Sequence, residues 1–151
     1  MLIQLLHRIK RQAFRLLRLR TRGVKVMLFN ERGEILLIRN SYGASHLFLL
    51  PGGGVHRWEA PEAAAVREVQ EEVGLEVLGM VPIAEHFNTA EGLRDTIYLF
   101  EAKASGEPRP DGREVKEACF FPIDALPTDA SPATLRRIEE YRGSRPRERR
   151  W

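Results

Sequence analysis

The stretch GGVHRWEAPEAAAVREVQEEVGL, residues 53–75, decides the fold. Its second half has the marks of a short helix. Pro61 suits the first helical position, where its missing N–H costs nothing, and Glu62 complements the positive end of the helix dipole. Gly74 suits the position just past the helix, where a left-handed residue stops it. Each helical residue advances about 100° around the axis, so Glu72 lies about 40° to one side of Glu68 and Glu71 about 60° to the other. The three carboxylates are therefore expected on one face. Val66, Val69 and Val73 fall at i, i+3 and i+7, the stripe that a helix buries against a sheet. Like charges crowded in this way repel unless a cation neutralises them, and oxygen ligands suit a hard divalent cation. Arg67 lies one turn before Glu71, within pairing reach.

Upstream, Pro51-Gly52-Gly53-Gly54 couples a rigid residue to three glycines that let the backbone bend tightly and approach a ligand closely. The module reads loop, helix, loop. A Glu-rich amphipathic helix is more often a solvated face than a metal site. Glycines and an arginine at fixed offsets from the acids argue for the metal site.

Those offsets resemble the signature of the Nudix hydrolases: glycine, five residues, glutamate, seven residues, Arg-Glu, an aliphatic residue, any residue, Glu-Glu, any residue, glycine, aliphatic. Gly53, Glu59, Arg67, Glu68, Val69, Glu71, Glu72, Gly74 and Leu75 occupy every fixed position. Leu50-Pro51-Gly52-Gly53 resembles the family's lead-in, with Phe48 where a tryptophan is common. The resemblance implies an α/β/α sandwich with a mixed β-sheet. It also implies Mg²⁺-dependent, or Mn²⁺-dependent, hydrolysis of a pyrophosphate bond in a nucleoside diphosphate linked to another moiety, ADP-ribose among the candidates. Glu68 and Glu72 are then metal ligands and Glu71 a ligand directly or through water, with a backbone carbonyl at Gly52 or Gly53 completing the shell. Glu59 and Arg67 pair to fix the loop, and Gly74 is structural. Trp58 fills a slot that often holds glycine. Members of the family recruit a further carboxylate as base or ligand. Glu114 is the candidate, with Glu117 behind it. The alternative is a catalytically silent Nudix-fold nucleotide-binding or regulatory module, but such members usually lose signature carboxylates and this chain has lost none.

The chain's 151 residues suffice for one ordinary core. Apolar runs predict strands over Val24 to Phe29 and Glu34 to Arg39, joined by a hairpin at Asn30-Glu31-Arg32-Gly33. Further strands are expected within Glu76 to Phe87, Asp95 to Lys103 and Ala118 to Phe121. Ser131-Pro132 reads as an N-cap and first residue of a closing helix to about Tyr141. Residues 22–141 are the expected Nudix domain.

Charge is uneven along the chain. The first 25 residues carry eight Lys or Arg and no acid, so a net charge of +3 leaves the other 126 residues at −5. Arg8, Arg11, Arg15, Arg18 and Arg22 recur at helical spacing opposite Leu2, Leu6, Ile9, Ala13 and Leu16, which predicts a basic amphipathic helix over residues 1–21. Packed on the domain or against a second copy, it would support a homodimer. Laid on an anionic membrane surface, residues 1–22 would make a peripheral contact. Nucleic acid is disfavoured, because no aromatic platform or recognised motif accompanies the arginines. Residues 142–151 read as a disordered basic tail. The single Cys119 forms no intramolecular disulfide, which suits a reducing cytoplasm. Arg39, Tyr42, Phe48 and His56 flank the glycine loop as candidate substrate contacts, an aromatic for a base and a cation for phosphate. Substrate identity is not legible: neither the proline of the ADP-ribose subfamily, sought at Ala90 or Glu91, nor the tyrosine of the diadenosine-polyphosphate subfamily, sought at Gly92 or Leu93, is present.

Overall fold

The computed structural model describes residues 20–89 and 94–151. Five strands form one mixed sheet: β1 (Arg20–Phe29), β2 (Ile35–Asn40), β3 (Leu78–Asn88), β4 (Arg94–Lys103) and β5 (Val115–Phe121), in the order β3-β4-β1-β2-β5. β1 and β4 run parallel and every other neighbouring pair antiparallel. Two helices cover the faces, α1 (Pro61–Val73) and α2 (Pro132–Tyr141). The hairpin after β1 closes on Asn30, whose side-chain oxygen accepts from the Arg32 and Glu34 N–H groups at 3.0 and 2.9 Å. Ser131 caps α2 by accepting from the Thr134 N–H at 3.1 Å.

Strand alternation divides the core into two layers. Val24, Val26 and Leu28 of β1 meet Leu36 and Ile38 under Ala64, Ala65, Val69 and Val73 of α1. Met27 and Phe29 point the other way, to Ile35, Leu37, Phe48 and Ile138 of α2. β1 and β2 are thus buried on both sides, which explains their nearly unbroken apolar runs. Their register is joined at Phe29↔Ile35, and nearer the start of β1 a wedge of loop occupies the space between them. Val26 N–H donates to Pro51 O and Val24 N–H to Gly53 O, while Ile38 and Leu49 exchange hydrogen bonds on the β2 side.

Three sequence expectations change. The predicted N-terminal helix lies outside the described residues except at Arg20 and Thr21, and these are strand. Parallel pairing from Arg20↔Arg94 onward, with Thr21 donating to Asp95 at 2.9 Å, extends β1 back through them. Val66 does not belong to the buried stripe and is 43% exposed. α1 is rotated so that Glu68 and Glu72 turn inward beside Ala64, Ala65, Val69 and Val73.

The third change concerns residues 142–151, which are held by specific contacts rather than loose. Phe87 on the edge strand β3 donates to Arg149 O at 2.7 Å and accepts from Trp151 N–H at 3.1 Å. Beneath them, the fully buried Arg137 guanidinium donates to His86 Nδ1, to Glu140 and to Arg150 O, each at 2.8 Å, and lies over the Trp151 ring. Because Arg137 donates to Nδ1, His86 must be neutral, and burial beside that cation holds its pKa down to about 4. Among the described residues no helix is long and apolar enough to cross a membrane.

Arg137→Ala strands the buried Glu140 carboxylate and is expected to cost about 3 kcal/mol. Replacing Arg145, paired with Glu139 and Glu148 at the surface, by Ala should shift stability far less. Urea unfolding midpoints of the two variants check the contrast.

Candidate active site

The glycine loop can lie against the sheet only because it lacks side chains. A Cβ on Gly52 would fall 2.0 Å from the Val24 carbonyl oxygen, and its φ of +145° is itself foreign to L residues. A Cβ on Gly53 would fall 2.4 Å from the Glu68 carboxyl carbon. The two glycines therefore let the loop touch β1 on one side and admit a carboxylate on the other.

Glu68 and Glu72 meet this loop from α1. Glu72 accepts from the Gly52 N–H at 2.9 Å. Burial pushes its pKa up to about 8, with the Glu68 and Glu114 charges adding to the effect and Lys25 and the Gly52 N–H opposing it. Glu68 is also raised, chiefly by burial and against the pull of Arg67. Glu71 stands apart, with a side chain 59% exposed and a 3.2 Å contact to Arg67. The three acids therefore do not share one environment: two face inward and one is in solvent.

Arg67 organises the module. Its Nε and Nη2 grip the two Glu59 oxygens at 2.8 and 3.0 Å, its Nη1 reaches Glu68 at 2.8 Å, and Nη2 also donates to Gly54 O at 2.8 Å. Bidentate pairing of this kind fixes both angle and distance. Glu59, which also accepts from the His56 N–H, is held down to about 2, chiefly by Arg67. His56 itself is exposed on that loop. Trp58, 89% exposed, sits at φ +70° in the slot where the resemblance leads one to look for glycine, so the residue bears local backbone strain.

Glu114 reaches the neighbourhood through a docked turn. Arg109 and Asp111 N–H groups cap the Val73 and Glu72 carbonyls at the end of α1, at 2.7 and 3.1 Å. The Asp111 carboxylate then gathers the N–H groups of Arg113, Glu114 and Val115. Tyr42 feels the same charges: burial raises its hydroxyl, and Glu114, Glu72, Glu68 and Asp111 raise it further. The other candidate contacts lie elsewhere. Arg39 is bound to Glu117 and Asp129 and covers the ring of Phe48. Phe48 is core, edge-on to Phe121, and presents no open face to a base.

Lys25 has no motif to announce it. Its ammonium donates to Leu50 O at 2.9 Å, pinning the lead-in of the glycine loop, and its charge favours ionised Glu72. Burial in turn lowers the pKa of this lysine. In the sequence its only mark is a lone lysine within an apolar strand run. Among the described residues no three His, Cys, Asp or Glu side chains form a ready-made cage for a metal.

A mixed sheet between two helices, wedged open by a glycine loop beneath inward-facing carboxylates, defines a class of α/β proteins whose acidic site lies at the mouth of the sheet. Residues 19–141 match the family described as NUDIX domain, and the chain belongs to that family. It is 31% identical over 111 residues to the 8-oxo-dGTP diphosphatase of Escherichia coli, covering 68% of this chain and 81% of that one. It is 35% identical over 112 residues to the isopentenyl-diphosphate Delta-isomerase of Streptomyces griseus, where the match spans 66% of this chain and 55% of the isomerase. A MutT NUDIX hydrolase from Burkholderia pseudomallei superposes with a TM-score of 0.69 at 28% identity, covering 80% of this chain and 97% of that one.

Gly52→Ala is expected to destabilise the domain by about 3 kcal/mol or more, combining backbone overlap with strain. Gly54→Ala, whose Cβ would meet nothing within 4 Å, should cost under about 1 kcal/mol. Thermal denaturation of the two variants tests this reading of the loop.

Proposed function

We propose that the chain hydrolyses a pyrophosphate bond in a nucleoside diphosphate linked to another moiety, ADP-ribose or another nucleotide or nucleotide sugar, in a reaction dependent on Mg²⁺ or Mn²⁺. The observation that carries this reading is the convergence of Glu68 and Glu72 on the Gly52–Gly53 backbone, with Glu114 close enough to raise both. Two inward carboxylates and a carbonyl suit Mg²⁺, which keeps several waters and binds through one or two carboxylates together with substrate phosphates. Gly53 O already accepts from Val24, and Gly52 O takes no backbone hydrogen bond among the described residues, so Gly52 is the carbonyl we assign. Glu71 would reach the shell through water. When bound, the ion would neutralise the pyrophosphate and polarise its phosphorus. Arg67 and Glu59 hold Glu68 in place, Lys25 favours ionised Glu72, and Glu114 is the carboxylate assigned to take the proton of the attacking water. The whole arrangement parallels what the E. coli relative's name describes, diphosphatase action on a nucleotide.

Glu72→Gln should lower Mg²⁺-dependent release of nucleoside monophosphate by at least 100-fold across a panel of nucleoside diphosphate derivatives. Tight, metal-independent nucleotide binding with no turnover on the panel would instead favour the silent binding module. Conversion of isopentenyl diphosphate without phosphate release would point toward the isomerase relative.

The raised carboxylates give a second test. An acid whose folded pKa is about 8, against 4.5 unfolded, keeps its proton in the folded state after the unfolded chain has released it. Stability therefore falls as pH rises from about 4.5 to 8. A cation beside Glu72 opposes that loss, so the gain in Tm on adding Mg²⁺ in place of chelator should be larger at pH 8 than at pH 5. Equal gains at both pH values would contradict the assignment.

A further inference from the structure

The turn that joins the glycine loop to α1 breaks a backbone rule. Glu59 N–H donates to His56 O at 3.1 Å, which closes a turn over Arg57 and Trp58. Trp58, third in that turn, sits at φ +70° and is the single non-glycine residue at positive φ among the described residues. A turn of this geometry takes glycine at its third position, because a Cβ there crowds the backbone. Packing could compensate for the strain, but Trp58 is 89% exposed and has almost none. The fold therefore has no use for this side chain, and strained residues held in place by their surroundings cluster at ligand sites.

The surroundings of the turn tie it to the acids. His56 N–H donates to Glu59 Oε2 at 2.9 Å, and Arg22 Nη2 donates to His56 O at 3.3 Å, so both ends are clamped. Glu59 lies one peptide from Trp58, about 3.8 Å between Cα atoms. Arg67 Nε holds Glu59 at 2.8 Å, and Nη1 of the same guanidinium holds Glu68 at 2.8 Å. One arginine thus stands between the neighbour of the indole and a carboxylate assigned to the metal. The charges of the turn are one-sided. Its acid, Glu59, is neutralised by Arg67, whereas Arg57 lies 5.2 Å from the Trp58 ring centroid and has no ion pair among the described residues. What the turn presents to solvent is an aromatic ring with cations beside it, the complement of an anionic ligand that carries a ring of its own.

We propose that Trp58 stacks on the base of a nucleoside diphosphate whose phosphates lie at Glu68 and Glu72, and so selects ligands that carry a base over diphosphates that lack one. The inference rests on the hydrolytic reading above and adds a specificity-determining residue to it. Every base has a π-face, so the contact selects for the presence of a base rather than for its identity. The clamped turn holds the ring in position before the ligand arrives, which reduces the ordering cost of binding. Glycine in the same slot would satisfy the turn and offer a base nothing to stack on.

Calorimetry and tryptophan fluorescence of the full chain with Mg²⁺ provide the test, using α,β-methylene-ADP and methylenediphosphonate. Neither is cleaved between its phosphorus atoms, and they differ by the nucleoside. The nucleotide should quench an emission that is missing from Trp58→Phe, in which Trp151 reports alone, and the diphosphonate should leave it unchanged. Trp58→Ala should weaken the nucleotide about fivefold or more and the diphosphonate less than about twofold, while Trp58→Phe retains most of the affinity. Trp58→Gly should show the same loss with a Tm no lower than that of the wild type, because glycine accepts the positive φ. A side chain kept for the fold would instead lower Tm when removed. Unchanged nucleotide affinity in Trp58→Ala, or equal weakening of both probes, would overturn the proposal. A wild-type chain that binds neither probe would overturn the hydrolytic reading as well, whereas binding of both with no contribution from Trp58 would overturn this inference alone. Binding to phosphatidylserine vesicles that depends on Trp58, with nucleotide affinity unaltered, would assign the ring to lipid.

Discussion

The contact on which the site depends is the crossing of Gly52 over Val24. Backbone lies directly on backbone there, with no room for a Cβ, and the hydrogen bonds from Val24 and Val26 to Gly53 O and Pro51 O make the loop a substitute strand between β1 and β2. That wedge satisfies main-chain groups which parting strands would otherwise leave unpaired. It also sets Gly53 so close to α1 that only a missing side chain admits the Glu68 carboxylate. The position of the acids is therefore a consequence of sheet geometry, transmitted through two residues that contribute no side chain.

Electrostatics then decides which acids can do chemistry. Arg67 divides its donors between Glu59, Glu68, Glu71 and the Gly54 carbonyl, and Glu59 takes the bidentate share. Glu59 is consequently the most firmly ionised acid of the module and the least available to a ligand, while Glu72 has no arginine partner and is the most strongly raised. Lys25 offsets part of that burden from the strand below. One helix thus carries the arginine of a charged clasp and, little more than a turn later, a carboxylate whose burial opposes ionisation.

Local rules made much of this legible from the chain. Pro61, Gly74 and Ser131-Pro132 mark the helix ends at which the structure places them, and the five strand cores fall within or beside the apolar runs. Periodicity failed where tertiary packing turned the helix: Val66 fits a stripe, but Ala64 and Ala65, small enough for close approach to the sheet, take the buried position instead. Arg39 looked like a free cation beside the loop, yet its acids, Glu117 and Asp129, are 78 and 90 residues away. The ordered tail was hidden for a similar reason. Its arginines suggest a solvated end, but Arg137 is buried by contacts with His86, Glu140 and Arg150, and no window of local sequence contains that set.

Charge placement links the acids to the strand beside them. Glu68, Glu72 and Glu114 lie near enough to feel one another's charge, and together they repel any phosphate that approaches without a cation. Arg22 lies two residues, about 7 Å along β1, before Val24, which holds the glycine loop, and this is within one Debye length at physiological salt, about 8 Å. Its field is therefore felt at the loop. Arg22 and the carboxylates stand on different elements, so the attraction of an anion is separate from the groups assigned to act on it. The net charge of +3 conceals the unevenness along the chain, because it sums +8 over the first 25 residues with −5 over the rest.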